Sequence, residues 1–232
     1  MQKQDIKIRS SVEGKEFDCY RVIPDGAGKV PAVVLASAVH GVDGDIRAIA
    51  DAFGAAGYIA AAPDLFWRTV PGPLKRDDGR SRTRSQPRLE VIKKGEADMA
   101  DTLAEMKKLA QFNGNAIAMG FCYGGPYALI GPKRLGYAGG VSCHGTQLGD
   151  YIKELEGTTQ PISITWGDKD HAAPPNVQEM YRAVPARHRN VDVNIFPGIL
   201  HGYMMKENPE AFDQKTYDFT MGRALAILGG LR

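Results

Sequence analysis

From Val30 onward, short apolar runs alternate with stretches of helical periodicity, and this alternation constrains the fold more than any other feature. The run at 30–36 is apolar throughout and suits a strand covered on both faces, as in a parallel sheet. Similar runs stand at 58–62, 116–120, 139–142, 162–166 and 191–196. Between them, 45–56 carries Ile46, Ile49, Ala50 and Phe53 at helical spacing, and Gly57 follows as a C-cap. The stretch 89–110 sets Leu89, Ile92, Ala100, Leu103, Met106 and Leu109 on or near one face. Helices are also expected at 123–131, 175–184 and 209–229. Strands that alternate with helices form βαβ units, whose right-handed crossovers build a parallel sheet. Ahead of them, 5–9 and 17–23 read as an antiparallel hairpin turning through Gly14, with Pro24-Asp25-Gly26 stopping the second strand. The expected architecture is one α/β domain over 1–232. It has a mostly parallel, doubly wound sheet, an antiparallel start and helices on both faces. Ligands of such sheets bind beyond the carboxyl ends of the strands, so functional residues belong there.

Composition removes several classes of function. Lys plus Arg number 29 and Asp plus Glu 27, a net charge of +2. That balance argues against a generally basic nucleic-acid binder and against an acidic disordered chain. No apolar run approaches the roughly 18 residues of a membrane span. The first residues alternate polar and apolar and lack the apolar core of a secretion signal, so a cytoplasmic location is expected. The three cysteines, Cys19, Cys122 and Cys143, are too few and too scattered for a disulfide framework and read as free thiols. The segment 68–88 breaks the rhythm with Arg68, Arg76, Arg80, Arg82, Arg84 and Arg88 among prolines and glycines. It reads as an exposed loop. It is either a solvated excursion or a place where one or two arginines meet an anionic substrate.

The chemistry centres on Gly120-Phe121-Cys122-Tyr123-Gly124, where an apolar strand runs into a helix. This is the G-x-nucleophile-x-G elbow with Cys as nucleophile. Small residues are needed on both sides because the nucleophile sits on a sharp, strained turn. The following helix aims its N-terminus at the thiol and favours the thiolate. A hydrolase of this kind needs an acid and then a histidine further along. After the strand at 162–166 comes Gly167-Asp168-Lys169-Asp170-His171. Asp170 at the tip of the turn suits an acid that orients an imidazole. Asp168 competes for that role, or closes the turn through its side chain. After the strand at 191–196, His201 stands on a glycine-flanked loop as the base. The oxyanion donors are expected to be the backbone N–H groups of Tyr123 and Val39, with Gly41 letting the second loop turn.

At this point the chain resembles the dienelactone hydrolases (carboxymethylenebutenolidases), a branch of the α/β-hydrolase superfamily. The resemblance spans nearly the whole sequence. It rests on His40-Gly41-Val42, on the run from Ala62 to Arg68, on the elbow with its extra Gly125, on 167–171, and on the run from Leu200 to Met205. It implies an α/β-hydrolase fold, a Cys122–His201–Asp170 triad, no metal or other cofactor, a cytoplasmic monomer, and no nucleic-acid or membrane partner. It implies attack on a small lactone or ester, an acyl-thioester and then hydrolysis. The family holds an anionic substrate with arginines, and Arg68 matches one of them. Two positions depart from the pattern. Ala38 stands where well-known members carry a Glu that keeps the resting thiol neutral, and Lys206 stands near the place of a second arginine. Without the Glu, Cys122 and His201 are expected to rest as a thiolate–imidazolium pair and to accept a broader range of esters.

Further residues are assigned around this core. His40, His144, Trp67 and Tyr203 are read as substrate-binding, along with Arg68 and Lys206, and Phe66 and Tyr123 as apolar wall. His144 and His171 alternatively cap neighbouring turns. Cys143 and the histidines share this edge, but no C-x-x-C or H-x-x-x-H spacing supports a zinc site. Two other functions compete with the lactone hydrolase. One is a promiscuous esterase or thioesterase without dienelactone activity. The other is a non-catalytic ligand-binding or thiol-sensing protein on the same scaffold.

Overall fold

The computed structural model describes residues 1–26 and 28–232. The chain builds one eight-stranded sheet in the order β1-β2-β4-β3-β5-β6-β7-β8. Strands β1 (Gln2–Arg9) and β2 (Glu16–Ile23) form the antiparallel hairpin, and β2 also pairs antiparallel with β4 (Ile59–Pro63). Strands β3 (Val30–Ala36), β5 (Phe112–Phe121), β6 (Gly139–Cys143), β7 (Ile162–Gly167) and β8 (Val191–Phe196) run parallel with β4. Helices α1 (Gly44–Ala55), α2 (Arg80–Thr83), α3 (Arg88–Met106), α4 (Tyr127–Ile130), α5 (Pro175–Arg182), α6 (Val184–Arg187) and α7 (Gln214–Gly229) complete it. No described helix is long and apolar enough to cross a membrane.

The apolar runs become central strands because both of their faces are covered. Ala32, Val34, Ala36, Ala116, Ala118, Ile162 and Ile164 join one core with Ile92, Met99, Leu103 and Tyr127 from α3 and α4. Val33, Leu35, Ile117, Met119, Phe121 and Val141 join the other with Ile46, Ile49 and Phe53 of α1 and Ala224 and Leu228 of α7. The alternation of side chains along each strand divides the run between the two cores.

Local punctuation corrects several expected helices. The stretch 123–131 is a 3-10 turn, then α4, then a wide π turn over Gly131–Leu135. Pro126 and Pro132 lack the N–H that a regular helix would use there. The stretch 175–184 ends as α5 at Arg182, with Pro185 lying in the separate α6. The last helix begins at Gln214 rather than 209, where Asp213 caps it by accepting the Thr216 N–H at 2.7 Å. The segment 68–88 is only partly an exposed loop. It contains α2, and Leu74, Ser81, Arg84 and Ser85 are buried.

Arg68 and Trp67 are tied into the hairpin side of the fold. Arg68 Nη1 and Nη2 donate to Asp98 at 2.6 and 3.0 Å, and its Nε to Glu13. Trp67 Nε1 donates to the same Asp98 at 3.2 Å and its ring stacks on Phe17. Asp98 is fully buried, which pushes its carboxyl pKa up and makes the guanidinium opposite it a structural requirement. Arg68→Ala is therefore expected to lower the unfolding free energy by about 3–5 kcal/mol, because a buried charge is left alone. Urea denaturation measures this, and a loss under about 1 kcal/mol would assign the pair no structural role.

Candidate active site

Cys122 lies at the junction of β5 and a 3-10 turn over Cys122–Gly124. Its φ of 50° is left-handed, a conformation residues with side chains rarely adopt. Close backbone packing maintains it. A Cβ at Gly120 would lie 2.1 Å from the Gly124 carbonyl oxygen, and one at Gly124 would lie 2.2 Å from that of Ala36. Glycine at both positions lets the end of β5, the turn and the end of β3 meet. The Cys122 carbonyl accepts from the N–H groups of Gly125 at 3.1 Å and Thr146 at 2.9 Å, and from the Thr146 hydroxyl at 3.3 Å. The loop after β6 thus pins the elbow. Nothing in the sequence marked Thr146 for this, since a threonine in a loop carries no signal of its partner.

The loops after β7 and β8 bring an acid and an imidazole to the same edge. Asp168 and Asp170 separate cleanly in role. Asp168 accepts the Gly198 N–H at 2.7 Å and closes one loop onto the other. Asp170 is buried, and its two oxygens lie 2.8 and 2.9 Å from His201 Nδ1. With Nδ1–H donating to Asp170, the Nε2 edge of the ring is left for Cys122, which lines the same cleft. Burial works against a charged imidazole here. The hydrogen bonds and negative charges of Asp170 and Cys122 outweigh it and raise the His201 pKa from 6.5 to about 10.

Two further imidazoles pack on His201. His171 is exposed, with its ring 4.8 Å away. His144 is buried, its ring edge-on at 4.9 Å, and neither of its nitrogens has a partner among the described residues. Burial, and then the charge of His201, hold its pKa well below the ordinary value, so it stays neutral. Tyr203 is buried on the far side of His144 at 5.2 Å, its hydroxyl 3.1 Å from Thr220. Ligand atoms of Asp170, His171 and His201 lie within 4.8 Å of one another. Asp170 and His201 are already bound together, and the charge in front of them suits an anion better than a metal cation.

That charge lines a cleft of about 370 Å³. Its wall includes Cys122, His201, His40, His171, Val39 and Tyr123, together with Arg76, Arg82 and Arg88, and no carboxylate. Arg76 is paired with the buried Asp45 at 2.6 Å. Arg88 donates to the carbonyls of Thr146 at 2.8 Å and Tyr123 at 3.3 Å, and lies over the Tyr123 ring. Arg82 is exposed and has no ion-pair partner among the described residues. Burial, Arg76 and Arg84 lower the His40 pKa and favour its neutral form. The Val39 N–H finds no acceptor among the described residues. Tyr123 stands in the first turn of its helix, where N–H groups lack an intrahelical partner.

Five residues expected at the substrate do not line this cleft. Arg68 and Trp67 are held by Asp98, His144 is buried beside His201, Tyr203 is buried against His144, and Lys206 lies over the rings of Phe212 and Tyr217. Arg80 is bound to Asp78 at 2.6 Å and also lies outside it. Ala38 is buried among apolar residues, and no acid substitutes for it in the lining.

Known proteins are similar to this chain over nearly its full length. A carboxymethylenebutenolidase of Cupriavidus pinatubonensis is 24% identical, with 96% of this chain and 95% of the relative aligned. The crystal structure of a dienelactone hydrolase from Anabaena variabilis superposes with a TM-score of 0.68 at 18% identity, covering 98% and 96% of the two chains. A dienelactone hydrolase-like promiscuous phosphotriesterase from metagenomic libraries superposes with a TM-score of 0.81 at 14% identity, covering 100% and 99%. The model of the dienelactone hydrolase family matches residues 17–228, and the chain belongs to that family of α/β-hydrolases.

Proposed function

We propose that the protein is a cysteine-dependent hydrolase of a small lactone or carboxylic ester, working as a cytoplasmic monomer. The observation that carries this reading is the bond of His201 Nδ1 to buried Asp170 in the same cleft that Cys122 lines at the end of the elbow strand. Cys122 Sγ attacks the acyl carbon as a thiolate, with His201 already carrying the proton. The carbonyl oxygen becomes an oxyanion that accepts from the N–H groups of Val39 and Tyr123. As the C–O bond of the ester breaks, His201 Nε2–H gives its proton to the departing oxygen and an acyl-thioester remains. Neutral His201 then takes a proton from water, whose oxygen attacks the thioester. The C–S bond breaks, the acid leaves, and thiolate and imidazolium are restored. Asp170 keeps the imidazole in one tautomer throughout.

The cleft lining supports an anionic substrate. It carries guanidinium groups and no carboxylate, and Arg82 is the one left to meet a ligand. A second reading, a broad esterase or thioesterase, is favoured by Ala38 and by the position of Lys206. The first removes an acid that would gate the thiol, and the second leaves no cation at the expected second contact. Arg82→Ala separates the two. It is expected to raise KM for a carboxylate-bearing lactone about tenfold, the equivalent of about 1.4 kcal/mol, and to leave p-nitrophenyl acetate within about twofold. Equal effects on both substrates would remove Arg82 from recognition.

Cys122→Ala is expected to lower turnover of every accepted ester by at least about a thousandfold. Steady-state assay of dienelactone beside p-nitrophenyl acetate measures it, and unchanged turnover would end the thiol mechanism. The His201 ring proton signals should report imidazolium at pH 8, since the pKa near 10 leaves the ring charged there. Cys122→Ser and Asp170→Asn each remove a negative partner and should move the midpoint to lower pH. A wild-type midpoint near the ordinary value of about 6.5 would contradict the resting ion pair.

A further inference from the structure

One guanidinium of the arginine-rich segment is fully buried with no ion-pair partner among the described residues. Arg84 is 1% exposed. Its Nε donates to the Val39 carbonyl at 3.0 Å, and its Nη1 to the carbonyls of Val70 at 2.8 Å and Gly72 at 2.6 Å. The Phe66 ring lies 4.4 Å from its Cζ, and Phe66 packs on the Tyr123 ring at 5.2 Å. The loop after β3 is closed around this group. Gly41 has a φ of 80°, and a Cβ there would lie 2.7 Å from Arg84 Nη2 and 2.9 Å from the Gly72 carbonyl oxygen. Leu74 N–H adds a bond to the His40 carbonyl at 2.9 Å.

Burying a guanidinium without a counter-charge is costly, and a chain without that need would place an apolar side chain there. A planar fork of donors gives what an apolar side chain cannot, namely fixed directions to several carbonyls at once. One of the carbonyls it holds is that of Val39 itself; the other two, of Val70 and Gly72, lie in the segment after β4, so Arg84 ties that segment to the loop of Val39, and the ring it stacks on packs against Tyr123. We propose that Arg84 is a positioning residue that sets the two oxyanion donors, Val39 directly and Tyr123 through Phe66. The inference rests on the thiol-hydrolase reading and on those two donors. It gives the arginine-rich segment a role distinct from meeting the substrate, because Arg84 does not line the cleft.

Two reactions of the same thiol test it. Acyl transfer forms an oxyanion, whereas alkylation by iodoacetamide displaces iodide at a saturated carbon and forms none. Arg84→Lys should lower kcat for p-nitrophenyl acetate about a hundredfold, in the range of a lost or misplaced oxyanion donor. KM should stay within about threefold and the alkylation rate of Cys122 within about twofold. Arg84→Ala should behave alike and recover at least about a tenth of wild-type kcat with millimolar guanidinium ion. Gly41→Ala keeps Arg84 but crowds Nη2, and should show a smaller loss with the same split. Arg80→Gln, an exposed arginine outside the cleft, should match wild type. Parallel loss of acyl transfer and alkylation, with no guanidinium rescue, would mean a merely structural arginine and overturn the proposal. So would an unchanged kcat in Arg84→Lys. Full turnover by Cys122→Ala in the same assay would instead bring down the thiol mechanism, and the inference with it.

Discussion

Backbone crowding at the end of β5 is the constraint on which the site depends. Cys122 holds a left-handed φ only because three chain segments meet there without side chains between them. Gly124 is packed against the carbonyls of Ala36 and Ser37, and Gly125 against Gly145. The ends of β3 and β6 are thereby set at either side of Cys122. β3 brings the loop of Val39, β6 brings Thr146 and His144, and the next two strands bring Asp170 and His201. A parallel sheet delivers each of these loops to the same edge, so the site follows from strand direction together with the close approach of the chain.

The charges on that edge are arranged in layers. Burial opposes a charge on His201, but Asp170 and Cys122 favour the proton on it and raise its pKa to about 10. His144 stays neutral directly behind it, since burial and the neighbouring imidazolium both oppose a second charge. In front, the guanidinium groups are mostly committed. Arg76 answers Asp45 and Arg88 answers two carbonyls, whereas Arg84 is withdrawn into the interior. One segment of chain therefore supplies arginines of several kinds, and their proximity in sequence conceals how differently they are used.

This difference marks how far the sequence was legible. The strands announced themselves through apolar runs, because both faces of a central strand need cover. The elbow announced itself through glycines, because backbone contact tolerates nothing larger. That Cys122, Asp170 and His201 meet at one edge followed from chain topology. What failed to show was the partner of each long polar side chain. Arg68 follows an Asp-Leu-Phe-Trp run that resembles a substrate-binding stretch, yet its partner Asp98 lies thirty positions later on α3. Trp67 goes with it. Lys206 and Tyr203 stand within a few residues of His201, but one lies over the rings of Phe212 and Tyr217 and the other is buried behind His144. Sequence distance from the histidine therefore says little about which wall a side chain joins.

The departure at position 38 gains meaning from the same layering. A carboxylate there would offer the Cys122 proton a second acceptor, and resting thiol would compete with resting thiolate. With Ala38 in an apolar cluster, the proposed mechanism leaves His201, held by Asp170, as the acceptor. On the proposed mechanism the ion pair is then present before substrate arrives, and selection passes from activation of the thiol to admission into the cleft. Admission is a matter of charge and shape. On the proposed function, a wall with three arginines and no acid among the described residues draws anionic esters, and the proposed oxyanion donors, braced by Arg84, set where the carbonyl stops. On the proposed mechanism, a thiolate held ready in this way is open to oxidation as well as to acylation.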